Sequence, residues 1–269
     1  MFIAGTLSFL TLSLLSGNGD PNGPYVDSQG RIWKTLPQLE DYDVAVWDAE
    51  VATDVYTDRN GRRFQICRQM TPEEEAAAGG AQGFLEQLQP DSGPGAGIRA
   101  TVYVNCPGDE EYRSYFGSSW QSHINTVVES ADNSLYSNWG INFIVGAYCT
   151  WDSNDAASIN GLLDEAYAEC GYGGQEYMAA FSNDPTSGGA VGIAYIGWPR
   201  QLTKRYLSYE NVICQHEAGH TYTCYHCCIS SCVMQPTVAP NAFGNFHNSS
   251  DGCSGQNHRT VMSNQRNRY

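Results

Sequence analysis

Apolar positions along residues 98–269 alternate between a strand period and a helix period. Ala100 to Asn105 (ATVYVN) reads as a strand. Ser122 to Tyr136 places Ile124, Val127, Val128, Ala131 and Leu135 at helical spacing. Ile141 to Tyr148 is a second strand. Ala157 to Cys170 is a helix with Leu162, Leu163, Ala166 and Tyr167 on one face. Tyr177 to Phe181 and the apolar run Ala190 to Trp198 (AVGIAYIGW) are further strands, and Asn211 to Tyr222 a last helix. The order β-α-β-α-β-β-α predicts a mixed, twisted α/β (α+β) sheet with helices packed on it. The last ~45 residues lack periodicity and are rich in Cys, Ser, Asn and Gly, which predicts an irregular, disulfide-rich C-terminal subdomain.

The N-terminal part has a different texture. Residues 89–97 (QPDSGPGAG) cannot sustain a helix or a central strand and mark a linker. Before it, Val51 to Tyr56 and Arg62 to Arg68 flank Asn60-Gly61, a hairpin signal. Thr71-Pro72-Glu73-Glu74 is a capping box with Pro at the first helical position. We read no internal repeat. Phe2 to Leu15 is a short apolar run suited to a secretory signal, although no Lys or Arg precedes Arg31. The expected organisation is a signal peptide at 1–16, an N-terminal segment and linker at 17–97, and a catalytic domain at 98–269. No run is long and apolar enough to span a membrane.

Composition narrows the function. With 14 Lys and Arg against 29 Asp and Glu, the net charge of −15 argues against a nucleic-acid partner. Ten cysteines in 269 residues argue for an oxidising, extracellular setting, to which the sequon Asn248-Ser249-Ser250 adds a little. Nine of them follow the linker, so they cannot all pair among themselves; the tenth is Cys67.

The stretch that carries chemistry is His216-Glu217-Ala218-Gly219-His220, an HExxH. On a helix, residues four apart share a face, so His216 and His220 can hold one ion while Glu217 reaches a water beside it. A catalytic zinc needs a third protein ligand. After Ala218 the sole acid is Asp251, so a downstream Glu ligand is excluded, whereas His226 lies ten residues after His216. His123, His247 and His258 read as surface or capping histidines, with spare metal ligands as the alternative.

HExxHxxxxxH followed by Cys232-Val233-Met234 resembles the metzincin zinc endopeptidases. The resemblance implies one catalytic Zn²⁺ held by His216, His220 and His226, Glu217 as general base, and Met234 in the turn beneath the metal. It also implies that Gly192, Ile193, Ala194 and Tyr195 belong to an edge strand that binds a polypeptide substrate by strand addition, as in reprolysin-like members; the residues themselves read equally well as an apolar core strand. Residues 235–240 then wall the pocket. Two departures stand out. Thr223 occupies the place of a usual Gly, which predicts a rebuilt turn braced by a disulfide through Cys224. The run His226-Cys227 with Cys232-x-Met234 is also similar to archaemetzincins, which add a Cys-bound zinc. That pattern needs a later CxxC; only Cys253 is present, with Gln256 at the second place, so disulfides are favoured over a second zinc.

Cys67 has two readings. One is an ordinary disulfide; the other is a latch whose thiolate occupies the open zinc position until the N-terminal segment is removed. The expected protein is a secreted, monomeric metalloendopeptidase made as a zymogen. The alternative is a zinc-containing binding or structural protein with a degenerate site.

Overall fold

A computed structural model describes residues 23–36, 54–78, 100–155, 157–186 and 189–269. The expected signal segment and the linker at 89–97 lie outside the described residues. The elements are β1 Tyr25–Val26, β2 Ile32–Trp33, β3 Tyr56–Thr57, β4 Arg63–Arg68, α1 Pro72–Ala77, β5 Ala100–Gly108, α2 Glu110–Phe116, α3 Trp120–Trp139, β6 Ile141–Thr150, α4 Ile159–Cys170, β7 Tyr177–Ser182, β8 Ala190–Tyr195, β9 Arg200–Lys204, α5 Glu210–Thr221 and α6 His258–Gln265. No helix among the described residues is long and apolar enough to cross a membrane.

The strands form one mixed sheet in the order β2-β1-β3-β4-β8-β9-β7-β5-β6. β5 pairs in parallel with β6 and β7, and β7 in parallel with β9; β8 runs antiparallel to both β9 and β4. Helices cover both faces, which is why β7 reads as a continuous apolar run rather than an alternating one. Its Tyr177, Ala179 and Phe181 join the core beneath α3 and α5, while Met178 and Ala180 join the core beneath α4. The helical stripe predicted for α3 is buried as expected, and Gly140 ends the helix in the left-handed conformation.

Within residues 98–269, three elements escaped the sequence reading. β9 (RQLTK) is polar yet wholly buried. Its Gln201 accepts a hydrogen bond from Tyr177 Oη at 2.7 Å and donates to Cys214 O at 3.2 Å, so partners elsewhere offset its burial. The short α2 and the C-terminal α6 were also missed.

The expectation of no internal repeat is corrected. Residues 25–33 (YVDSQGRIW) and 56–64 (YTDRNGRRF) are the same hairpin built twice. Asp27 accepts from Gln29 N, Arg31 N and Arg31 Nε; Asp58 accepts from Asn60 N, Arg62 N and Arg62 Nε. Gly30 and Gly61 take φ of 79° and 74°, a region glycine enters freely.

The cysteines pair less than expected. Cys149–Cys170 and Cys228–Cys253 are disulfides. Cys67, Cys106, Cys214, Cys224, Cys227 and Cys232 are buried free thiols.

Candidate active site

Every residue of α5 is buried although more than half of them are polar. Such a helix needs tertiary partners for each polar group. Glu210 accepts from Tyr112 Oη at 2.8 Å, and Gln215 donates to Ala131 O at 2.6 Å. These bonds fix the rotation of the helix, and with it the direction of His216 and His220.

The helix ends at Thr221, and Thr223 takes φ of 72°. The predicted rebuilding does not occur: Thr223 adopts the left-handed turn that glycine would take, at a strain of about 1 kcal/mol or more. Cys224 is a free thiol, so no disulfide braces the turn. Gln256 braces it instead, accepting from Tyr225 N at 2.8 Å and donating to Thr223 O at 3.1 Å.

That turn brings His226 back to the helix. His216 Nε2 lies 3.1 Å from Nε2 of both His220 and His226. Ligands about 2.0–2.1 Å from one tetrahedral ion stand roughly 3.3 Å apart, so the three nitrogens fit one divalent cation. The far nitrogens of the two helical histidines are fixed from behind. His216 Nδ1 donates to Val233 O and His220 Nδ1 to Cys224 O, each at 2.8 Å, leaving Nε2 as a lone pair aimed at the centre. Burial lowers His216 to about 4 and lowers His220 as well, which keeps both rings neutral as a ligand must be.

Two glycines make room. A side chain at Gly219 would collide with Met234, which packs beneath the helix. One at Gly192 would strike the Glu217 carboxylate and Ile213. Glu217 is fully buried, neither of its oxygens has a well-formed hydrogen bond, and burial pushes it well above the usual carboxylate range. A cation held by the neighbouring imidazoles would offset that cost.

Strand β8 differs from the expected edge. Within residues 98–269 it is the last strand, but β4 covers it: Phe64, Gln65, Ile66 and Cys67 pair with Tyr195, Ala194, Ile193 and Gly192. The unpaired strand groups predicted to await a substrate are taken by the chain's own N-terminal segment. On its other side β4 bonds the expected pocket wall, with Arg68 N donating to Pro236 O and Val238 N to Arg68 O, both at 3.0 Å. Gln65 accepts from His226 N at 2.8 Å. Cys67 comes to the centre itself: its sulfur and ligand atoms of His216 and Glu217 lie within 4.8 Å of one another. Burial, and then the charge of Glu217, push the Cys67 thiol up. The Tyr195 side chain turns away from the cleft, and its hydroxyl bonds Asn160 at 2.9 Å.

The model of metallopeptidase family M12, reprolysin type, matches residues 99–269. The chain belongs to that family. M12 members are zinc-dependent peptidases, and the matched residues contain the whole of β5 to α6, so the three-histidine centre sits in an M12 domain. No curated protein matches the sequence. Among solved structures, one titled "Structure of a chaperone-substrate complex" is similar over 61% of this chain and 33% of that one, at 14% identity and a TM-score of 0.46. The chain thus spans about a third of that protein's length, and a likeness so slight bears on neither function nor fold.

Proposed function

We propose that this M12 metallopeptidase is a secreted zinc endopeptidase held latent by its own N-terminal segment. The observation that carries the reading is the convergence of the His216, His220 and His226 nitrogens beside a buried Glu217, with β4 lying along the cleft as a substrate would.

Zinc bound there would acidify a water and polarise the scissile carbonyl. The chain's own residues do the rest. Glu217 takes a proton from the attacking water and passes it to the departing amine, a role that needs the carboxylate ionised, which a cation held beside it would favour. The β8 main chain aligns an extended peptide through Gly192, Ile193, Ala194 and Tyr195. Residues 236–238 bond the peptide's other edge, as they now bond Arg68. Met234 and Gly219 pack the floor beneath the imidazoles.

Latency follows from occupancy. β4 fills the strand site, and Cys67 stands where a water would have to enter. The two disulfides support an oxidising destination. The competing reading, an inactive zinc-binding protein, rests on Thr223 and on the dense cysteines; Thr223 nonetheless takes the required left-handed turn.

The test is hydrolysis of a generic quenched peptide by the full chain and by residues 98–269. The shorter form is expected to cleave it and the full chain to be silent; equal activity removes the latch. Replacing Glu217 by Ala in the shorter form is expected to lower turnover by roughly 10²–10⁴-fold with zinc retained. Unchanged turnover removes Glu217 from its role.

A further inference from the structure

A second cluster of ligands stands apart from the catalytic one. Cys227, Cys232, His247 and His258 each offer one ligand atom, and these atoms all lie within 4.8 Å of one another. All four residues are buried. His247 and His258, which the sequence allowed as surface or capping residues or as spare ligands, are therefore interior groups.

Their bonding is incomplete in a way hydrogen bonds do not explain. His247 Nε2 donates to Gln256 O at 3.0 Å, with Asp251 Oδ2 at 3.5 Å, which fixes the tautomer and leaves Nδ1 as a lone pair. That Nδ1 is buried with no conventional partner. His258 Nδ1 lies 3.3 Å from Cys232 Sγ, while its Nε2 has no partner. Sulfur and nitrogen bound to one tetrahedral zinc, at about 2.3 and 2.0 Å, stand roughly 3.5 Å apart. Two buried thiols and two buried imidazoles gathered at one point form the donor set of a closed tetrahedral site.

We propose that Cys227, Cys232, His247 and His258 bind a second, structural zinc ion. The ligand set differs from the four-cysteine pattern for which the sequence lacks residues: the two histidines replace the missing CxxC. The position explains its use. Cys227 directly follows His226, its N–H bonds Met234 O at 2.9 Å, and Cys232 lies two residues before Met234. His258 opens helix α6. One ion would therefore tie the loop carrying the third catalytic imidazole and the floor methionine to the C-terminal helix. The site is independent of whether the first centre hydrolyses peptides.

The test uses the full chain carrying Cys67→Ser, which removes the thiol beside the first centre. Elemental analysis is expected to give two zinc ions per chain, and one after the further change of Cys227 and Cys232 to Ser. With cobalt in place of zinc, a near-ultraviolet thiolate-to-metal charge-transfer band is expected in the parent and lost in that double variant. Should the double variant fail to fold, the unaltered chain still decides. Its Cys227 and Cys232 are expected to resist alkylation until a strong chelator is added, while Cys106 and Cys214 stay protected throughout. A single zinc in the parent, an unchanged count in the double variant, or a Cys227–Cys232 disulfide in the peptide map would overturn the proposal.

Discussion

The hairpin at residues 25–33 and the hairpin at 56–64 share Tyr, Asp, Gly and Arg at the same four places and the same bonds around the Asp. Their surroundings separate them. Arg31 pairs with Asp27 of its own turn at 2.5 Å, and its side chain is 37% exposed. Arg62 bonds Asp58 and also reaches across to α4, with Nη1 3.0 Å and Nη2 2.5 Å from the two oxygens of Asp164. The second hairpin then continues as β4 alongside β8 toward the three-histidine centre, whereas β2 stops after two residues at the rim of the sheet. Local sequence builds the turn; one bidentate ion pair and one longer strand decide whether it governs the site. The same M12 domain thus meets two copies of one motif and admits one of them.

The largest expected difference between the copies is in activity. Deleting residues 23–36 should leave the full chain silent, while removing the chain through Arg68 should raise peptide cleavage by at least 10²-fold, the scale of an entire catalytic contribution. Activity on deleting the first hairpin alone would break the comparison. Next in size is Arg62→Ala, which leaves Asp164 without its fork-shaped partner. It should cost about 1–3 kcal/mol in denaturant unfolding and raise the background activity of the full chain. Arg31→Ala should stay within about 0.5 kcal/mol and leave latency intact.

A smaller, pH-dependent effect sharpens the first hairpin. Burial raises Asp27, but hydrogen bonds from Trp33 and Arg31 outweigh it and hold the carboxyl below its ordinary 3.8. A lowered acid stabilises the fold above pH 3.8, and the gain is lost as pH falls through the lower folded value. Asp27→Asn should therefore cost roughly 1 kcal/mol at pH 7, with the gap to the parent closing only below pH 3.8. Smallest are Gly30→Ala and Gly61→Ala. Neither new methyl group meets an atom within 4 Å, so only the positive φ is penalised. Each should lose about 1 kcal/mol, and equal losses would show that the two turns are energetically the same unit.

The three-histidine centre was legible because helical period and ligand spacing are both local: His216 and His220 needed only α5, and His226 only one turn more. The predicted strands and helices of residues 100–222 appear where apolar spacing placed them. What stayed hidden depends on distant partners. β9 carries no apolar signal because Tyr177 and Cys214 satisfy its buried Gln201. Gln256, which braces the Thr223 turn, lies over thirty residues from it, as does His258 from Cys227. The duplication escaped because the two copies share only Tyr, Asp, Gly and Arg, and the Asp and Gly are turn formers common in any loop. The pairing of β4 with β8 could not be read either, since strand partners far apart in sequence leave no periodic trace.

The covering of β8 has a kinetic consequence. While residues 63–68 are tethered, they face the cleft at an effective concentration in the millimolar range that few substrates can match. Cutting the chain anywhere from 79 to 99 leaves every β4 bond in place and changes only the order of the reaction, from unimolecular rebinding to bimolecular. Onset of cleavage should then lag behind the cut by the residence time of the nicked segment, and simple dilution should shorten the recapture that prolongs it.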